Sequence, residues 1–267
     1  WILESDSPRA EQWRTAYFLR YAGEMIGESH KYLEPASKAL ETLERQAKRV
    51  VRRCDFDLYQ LFLSPLKMTR ALNIRFFMIG NGTFNISTEV NLPGSVLAVA
   101  KVGLQMKMQR SYNNLNWYGL GGVSTYPDRK SGGKFDFYSS TAEELYDHNI
   151  VIPQDNCNQS GVHWASVANM EGTGFFLSGS KTMNFSAYPY DDAEITKARH
   201  MNELEEADFV TVNFDALVTG LGTATCGPGI LPQYVAKSGI YRFNVTYRPV
   251  QLQNKTIFDY VAEHYST

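Results

Sequence analysis

Two stretches of this chain gather the residue types that could do chemistry. The first runs from Asn113 to Arg129 and reads Asn-Asn-Leu-Asn-Trp-Tyr-Gly-Leu-Gly-Gly-Val-Ser-Thr-Tyr-Pro-Asp-Arg. Around Leu115, Trp117 and Tyr118 it is apolar and aromatic enough for a strand. It then breaks on Gly119, Gly121 and Gly122, which permit backbone angles that other residues avoid. It closes on Tyr126-Pro127-Asp128-Arg129, a rigid turn carrying a phenol, a carboxylate and a guanidinium. Such a loop suits a polyhydroxylated ligand, because flat rings cover the apolar face of a sugar while Asp128 and Arg129 meet its hydroxyls. The plainer reading is a glycine-rich corner with a structural Asp128–Arg129 pair. The second stretch is Gly220-Leu221-Gly222-Thr223-Ala224-Thr225-Cys226-Gly227-Pro228-Gly229, a candidate functional loop at Thr225, Cys226 and Gly227 whose plainer reading is a mobile glycine loop with a buried small cysteine. No His or Lys adjoins Cys226 in sequence, so it is not read as an activated nucleophile.

Other reactive groups are scattered. Hydrolysis of a glycoside with retention needs two carboxyl groups about 5–5.5 Å apart. Glu143 and Glu144, beside Ser139, Ser140 and Thr141, read instead as an exposed helix or turn, and Glu203, Glu205 and Glu206 as solvated surface following a helix. No catalytic residue is assigned. The histidines His30, His148, His163, His200 and His264 show no metal-ligand spacing, so neither a metal site nor a cofactor is expected in this chain. In the pair His163-Trp164 neighbours on a strand face opposite ways, so one of them points into the core. His200 is placed at the end of a helix, where a positive ring is favourable.

Around these stretches, composition sets the frame. With 267 residues the chain is long enough for a sizeable core. Its 13% aromatic content, with 16 Tyr and 15 Phe, leans towards β structure. A formal net charge of −2 gives no sign of a nucleic-acid partner. No apolar run approaches about 18 residues, so no transmembrane helix is expected. The chain begins at Trp1 rather than Met, which reads as a fragment or processed piece. Cys54, Cys157 and Cys226 are few and widely spaced, which leans towards a reducing compartment, while cytoplasm and periplasm both stay open. Asn-x-Ser/Thr triplets begin at Asn81, Asn85, Asn158, Asn184, Asn244 and Asn254, a pattern that strands rich in Asn and Thr produce by chance.

The elements that must position the two loops are mostly strands. Residues 37–53 are the exception and read as a helix capped by Ser37, its basic cluster a solvated face. From Leu72 onwards, Phe76 to Ile79, Asn81-Gly82 and Thr83 to Ser87 read as a hairpin. Leu97 to Met108 reads as another strand pair, with Val102, Leu104, Met106 and Met108 alternating as in a half-buried strand. Further strands are expected at 162–169, 174–179, 184–188, 208–216 and 241–248, with one helix at 191–200 whose acidic start and basic end suit the helix dipole. Short strands at regular spacing predict a β-sandwich. Residues 1–267 are taken as one domain, with 71–250 the sandwich and 1–70 a weakly assigned, helical or divergent segment.

The run Trp117-Tyr118-Gly119, Gly121, Tyr126, Asp128-Arg129 resembles the Trp-Tyr-Gly-Arg-Gly-Pro-x-Glu-Asn-Tyr-x-Asp-Arg motif of the C-terminal domain, or separate small chain, of glycoside hydrolase family 2 β-galactosidases. Leu120, Gly122, Ser124 and Thr125 depart from it, replacing Arg, Pro, Glu and Asn. Val162-His163-Trp164, Phe185 to Tyr190, His200 to Leu204 and Gly220-Leu221-Gly222 follow in the family's order. The resemblance implies a mainly β fold, a large antiparallel sandwich of the galactose-mutarotase-like type with one or two helices. It implies that the catalytic carboxylates lie on a separate barrel domain or large subunit, so this chain is not expected to hydrolyse glycosides alone. Its role would be accessory: packing on that barrel and offering the loop at Cys226 to a terminal β-galactoside. Many family members carry a sugar-stacking Trp in that loop, where Cys226 is the nearest equivalent. Two other readings stand beside it. One is a free-standing carbohydrate-binding module. The other is an aldose epimerase on the same fold, which would need His163 or His200 to face Asp128.

Overall fold

The computed structural model describes residues 72–78, 82–92, 94, 98–223 and 227–266. The expected helix at 37–53 lies outside the described residues. Nine strands follow in chain order: β1 Leu72–Met78, β2 Phe84–Leu92, β3 Lys101–Gln109, β4 Asn114–Gly121, β5 Lys134–Thr141, β6 Gln159–Ala168, β7 Thr173–Tyr188, β8 Phe209–Val218 and β9 Gly239–Gln251. Among the described residues three α-helices accompany them: α1 Ala142–Leu145, α2 Asp192–Lys197 and α3 Ile257–Tyr265. Every strand pairing is antiparallel. The main order is β1-β2-β9-β7-β6-β4-β5, and β8 joins β7 to β3.

The branch at β7 makes the sandwich. Its first half pairs with β9, from Thr173 opposite Gln251 to Gly179 opposite Val245. Its second half pairs with β8, from Asn184 opposite Asp215 to Tyr188 opposite Thr211. The β2–β9 arm and the β3–β8 arm then close on one core, in which Ile86, Val245, Leu104, Val212, Trp117 and Phe185 are all buried. The fold is thus mainly antiparallel β, with short helices at its margins. Expectation had divided β7 into 174–179 and 184–188. It runs on as one strand because β6 pairs with both halves, through Val162 opposite Met183 and Trp164 opposite Ser178, while the exposed Ser180–Thr182 stretch between them is an irregularity with no partner on β6.

Three other expectations shift. β1 and β2 do pair, but Met78 lies opposite Phe84, so the connection is longer than a two-residue Asn81-Gly82 turn. Leu97 to Met108 supplies one strand, and β3 is buried on both faces rather than one. Its second face is covered because Gln105 donates to Asp192 of α2 and to Asn213 of β8, at 2.8 Å each, while Lys107 pairs with Asp191. The predicted helix at 191–200 is shorter: Asp191 caps α2 through Ala193 N–H, and the helix ends at Lys197. His200 lies past its end, at the start of the 3₁₀ turn Met201–Glu203.

The helix α3 was not foreseen. Thr256 and Asp259 cap it reciprocally, each side chain accepting from the other's backbone N–H. Ile257 and Tyr260 pack on Trp164, Phe176 and Val250 in a second apolar cluster on the outer face of the sheet. Trp164 is therefore the inward partner of exposed His163, buried by a helix rather than by the main core.

Candidate functional site

The strand β4 carries the first predicted stretch further than expected. It runs through Gly119 and Gly121, and both glycines serve close approach. A Cβ at Gly119 would lie 2.8 Å from Val162 Cα, and one at Gly121 would lie 2.5 Å from the Tyr138 ring, which stacks on Trp117. The chain turns at Gly122, whose φ of +82° suits glycine.

Beyond it, Tyr126 and Arg129 exchange both backbone hydrogen bonds, at 3.1 and 2.8 Å, closing the expected turn. Thr125 pins this turn to β6: its N–H donates to Asn158 O at 2.7 Å, and its Oγ1 accepts from Ser160 N–H at 2.8 Å. Asn158 Nδ2 and Ser160 Oγ both donate to Thr125 O. The turn is therefore fixed by buried polar groups that each have a partner, which favours one geometry.

That geometry aims Asp128 at the second predicted stretch. Its Oδ1 accepts from Leu221 N–H at 3.1 Å, and its Oδ2 from Gly222 N–H at 2.7 Å. Gly220 lies against the same carboxylate, where an added Cβ would come within 2.6 Å of Cγ. The loop closes on itself through Thr223 N–H to Pro228 O at 3.1 Å, and its entry is held by Gly220 N–H to Tyr234 O at 2.8 Å. Gly222 takes φ +63° beside the Ile230 backbone. Two segments more than ninety residues apart in sequence thus form one structure, with Asp128 as the tie.

The six predicted site residues divide accordingly. Asp128 seats the loop and does not form the ion pair with Arg129 that the plainer reading supposed; among the described residues Arg129 is exposed and has no ion pair. Tyr126 is 2% exposed, so its ring supports the turn from below rather than offering a stacking face. Burial, with Asp155 nearby, drives its phenol well above the ordinary tyrosine value. Gly227 is exposed at the loop's outer end. Thr225 and Cys226 lie outside the described residues.

Beneath the turn lies a group that sequence reasoning missed. Lys101, 3% exposed, pairs with Asp155 at 2.7 Å. Burial works against its charge, yet Asp155, Asp215 and Asp192 together raise its pKa. Burial pushes the Asp215 carboxyl up to about 7, with Lys101 opposing. Asp192, raised by burial in the same way, accepts from Tyr188 Oη at 2.6 Å. Cys157 is buried here too, and burial followed by Asp155 lifts its thiol far from reactivity. A lone charge inside an apolar strand, such as Asp215 in Asn-Phe-Asp-Ala-Leu, was the available signal. Of the carboxylates weighed in the sequence, Glu144 caps α1, Glu143 and Glu206 pair with Arg110 at 2.5 and 2.7 Å, Glu203 accepts from Arg199 N–H, and Glu205 is exposed. Among the described residues no group of three His, Cys, Asp or Glu could hold a metal.

With both loops in place, comparison with known proteins becomes informative. The family model described as beta galactosidase small chain matches residues 3–247, nearly the whole chain. The chain belongs to this family. A β-galactosidase of Pseudoalteromonas haloplanktis is 32% identical over 167 residues, which are 62% of this chain and 15% of that protein. One from Priestia megaterium is 26% identical over 183 residues, 68% of this chain and 18% of that protein. The small-chain match therefore spans under a fifth of these β-galactosidases. Among solved structures, a putative aldose 1-epimerase of Escherichia coli aligns with 68% of this chain and 60% of its own at 11% identity and TM-score 0.34. An aldose epimerase homologue from C. elegans aligns with 67% and 59% at 10% identity and TM-score 0.37. Likeness this slight leaves the small-chain fold to be read from its own strand order.

Proposed function

We propose that this chain is the accessory part of a β-galactosidase, packing on a separate catalytic barrel and completing its sugar site with the loop 220–229. The observation that supports this most is the seating of that loop by Asp128. A carboxylate holding two backbone N–H groups is a charge-assisted contact, stronger than a neutral one. It gives a glycine-rich loop a fixed foundation while leaving Gly227 exposed. Support from family membership is of a second kind, because the matched relatives are β-galactosidases several times longer than the matched stretch.

In this reading Asp128 and Tyr126 position the loop, Arg129 is free to meet the partner or a sugar hydroxyl, and Thr225, Cys226 and Gly227 face the galactoside. The two carboxyl groups of retaining hydrolysis come from the barrel. The buried carboxylates of this chain have another role, since Asp192 and Asp215 are engaged around Lys101 beneath the turn.

The test is hydrolysis of a chromogenic β-galactoside by this chain, by a barrel-bearing chain from the same source, and by the two mixed. Activity that requires the mixture supports the accessory role. Turnover by this chain alone overturns it.

A further inference from the structure

The Asn-x-Ser/Thr triplets at Asn85 and Asn244 have a structural consequence in this fold. On a strand, residues two apart share a face, so Asn85 and Ser87 project together from β2, and Asn244 and Thr246 from β9. The residues between them, Ile86 and Val245, are buried in the core. Strand register sets the two triplets against each other, Asn85 opposite Thr246 and Ser87 opposite Asn244. The next strand adds Ser178 beside Thr246. The outer face of β2, β9 and β7 is thus a patch of amides and hydroxyls.

This patch is concave. Ser87, Ser180 and Asn244 are shared by two adjoining clefts of about 360 and 510 Å³, within the ~300–1,000 Å³ usual for small-ligand sites. Arg75, Glu89 and Arg242 border the first, with Glu89 and Arg242 paired. His264, from the end of α3, borders the second. Its ring is held by contacts with Tyr265 at 4.8 Å and Phe176 at 5.4 Å and is the one ring that lines this cleft. Burial lowers the pKa of His264, so near neutral pH the ring carries no charge.

Among the residues lining the clefts, Thr88 and Ser178 have hydroxyls without a hydrogen-bond partner among the described residues. Ser178 is 1% exposed, and among the described residues its hydroxyl makes no hydrogen bond. Buried hydroxyls are nearly always satisfied, so Thr88 and Ser178 are open to a partner that the fold itself does not supply. By contrast Thr246 Oγ1 already donates to Asn85 Oδ1 at 2.6 Å, which orients the Asn85 amide towards the open space. The row continues across the sheet from Asn85, Thr246 and Ser178 to Trp164 and Tyr118, so it passes from polar to aromatic.

We infer that this cleft binds a neutral oligosaccharide, with Asn85, Ser87, Ser178 and Asn244 meeting ring hydroxyls and His264 covering an apolar sugar face. Planar amides and hydroxyls match vicinal hydroxyl pairs, and Glu89 and Arg242 cancel each other, so Arg75 at the rim is the one charge of the first cleft without an ion pair among the described residues. The site shares no residue with the Asp128 turn or its loop. It stands whether or not the accessory role does.

The experiment is titration of the full chain with galactotetraose, xylotetraose and mannotetraose, followed by amide NMR shifts and calorimetry without any catalytic chain. At least one probe should shift Ser87, Ser178 and Asn244. Asn244→Ala and Ser87→Ala change exposed or half-buried positions, so the fold should hold, and each should weaken binding roughly tenfold. Asp128→Ala should leave this binding unchanged. No shift at these amides with any probe, shifts that survive both substitutions, or response to a sulfated oligosaccharide alone would overturn the inference.

Discussion

At the scale of single residues, the decisive contact is Asp128 with the amides of Leu221 and Gly222. Hydrogen bonds to a charged group contribute about 1.5–3 kcal/mol. Asp128→Ala should therefore release the loop, seen as faster hydrogen exchange at Leu221 and Gly222, while the sheet amides keep their protection. Gly220→Ala should do the same by another route, because its methyl would sit 2.6 Å from the Asp128 carboxylate. Unchanged exchange in both variants would mean the loop is held by its own contacts. A second prediction concerns Asp215, whose carboxyl burial raises to about 7. Its folded pKa lies above the ordinary value, so the folded state keeps a proton that the unfolded chain releases between about pH 4 and 7. Stability contributed by this group is then full below about pH 4, declines as pH rises through that window, and is lost above about pH 7. Asp192 is shifted the same way and adds to the slope. Asp215→Asn should raise Tm more at about pH 8 than at about pH 5. An equal change at both would show that Asp215 is ionised throughout.

At the scale of elements, α3 is the piece whose removal should be felt locally. Ile257→Ala would open a cavity over Trp164 and Phe176, at a cost near the low end of about 2–5 kcal/mol given its position at the rim. Loosening α3 should also shift Trp164 emission to the red, and an unshifted spectrum would place the helix elsewhere in solution. How legible each element was follows from its surroundings. β9 alternates clearly because one face meets the core and the other is open, and β8 alternates in residue type because Thr211, Asn213 and Asp215 face polar partners across from Val210, Val212 and Phe214. The full length of β7 was hidden by polar Ser180, Lys181 and Thr182, which lie at an irregularity between the two halves that β6 pairs. The double burial of β3 depends on α2 lying across it, a tertiary fact that no alternation encodes. The cap of α3 was readable in Thr256 and Asp259, whereas its docking on Trp164 was not. Of the site, Tyr126, Asp128 and the glycine loop stood out by composition. That one holds the other, and that Lys101 lies buried beneath with Asp155, is set by strand order.

At the scale of the whole molecule, a nine-stranded antiparallel sheet branches at β7 and closes over a single core. It presents one seated loop beside a turn that buried hydrogen bonds hold rigid. This arrangement is what the proposed accessory role asks for, a shaped surface lent to chemistry on another domain, and the chain's membership of the beta galactosidase small-chain family is in keeping with it. The most direct test isolates the complex of this chain with a barrel-bearing catalytic chain and measures kcat/KM for a chromogenic β-galactoside, wild type against Gly220→Ala. The complex should form equally with both, and kcat/KM should fall roughly tenfold or more in the variant. Equal kcat/KM in the two complexes, or full activity from the catalytic chain with no small chain present, would contradict the role given to the loop.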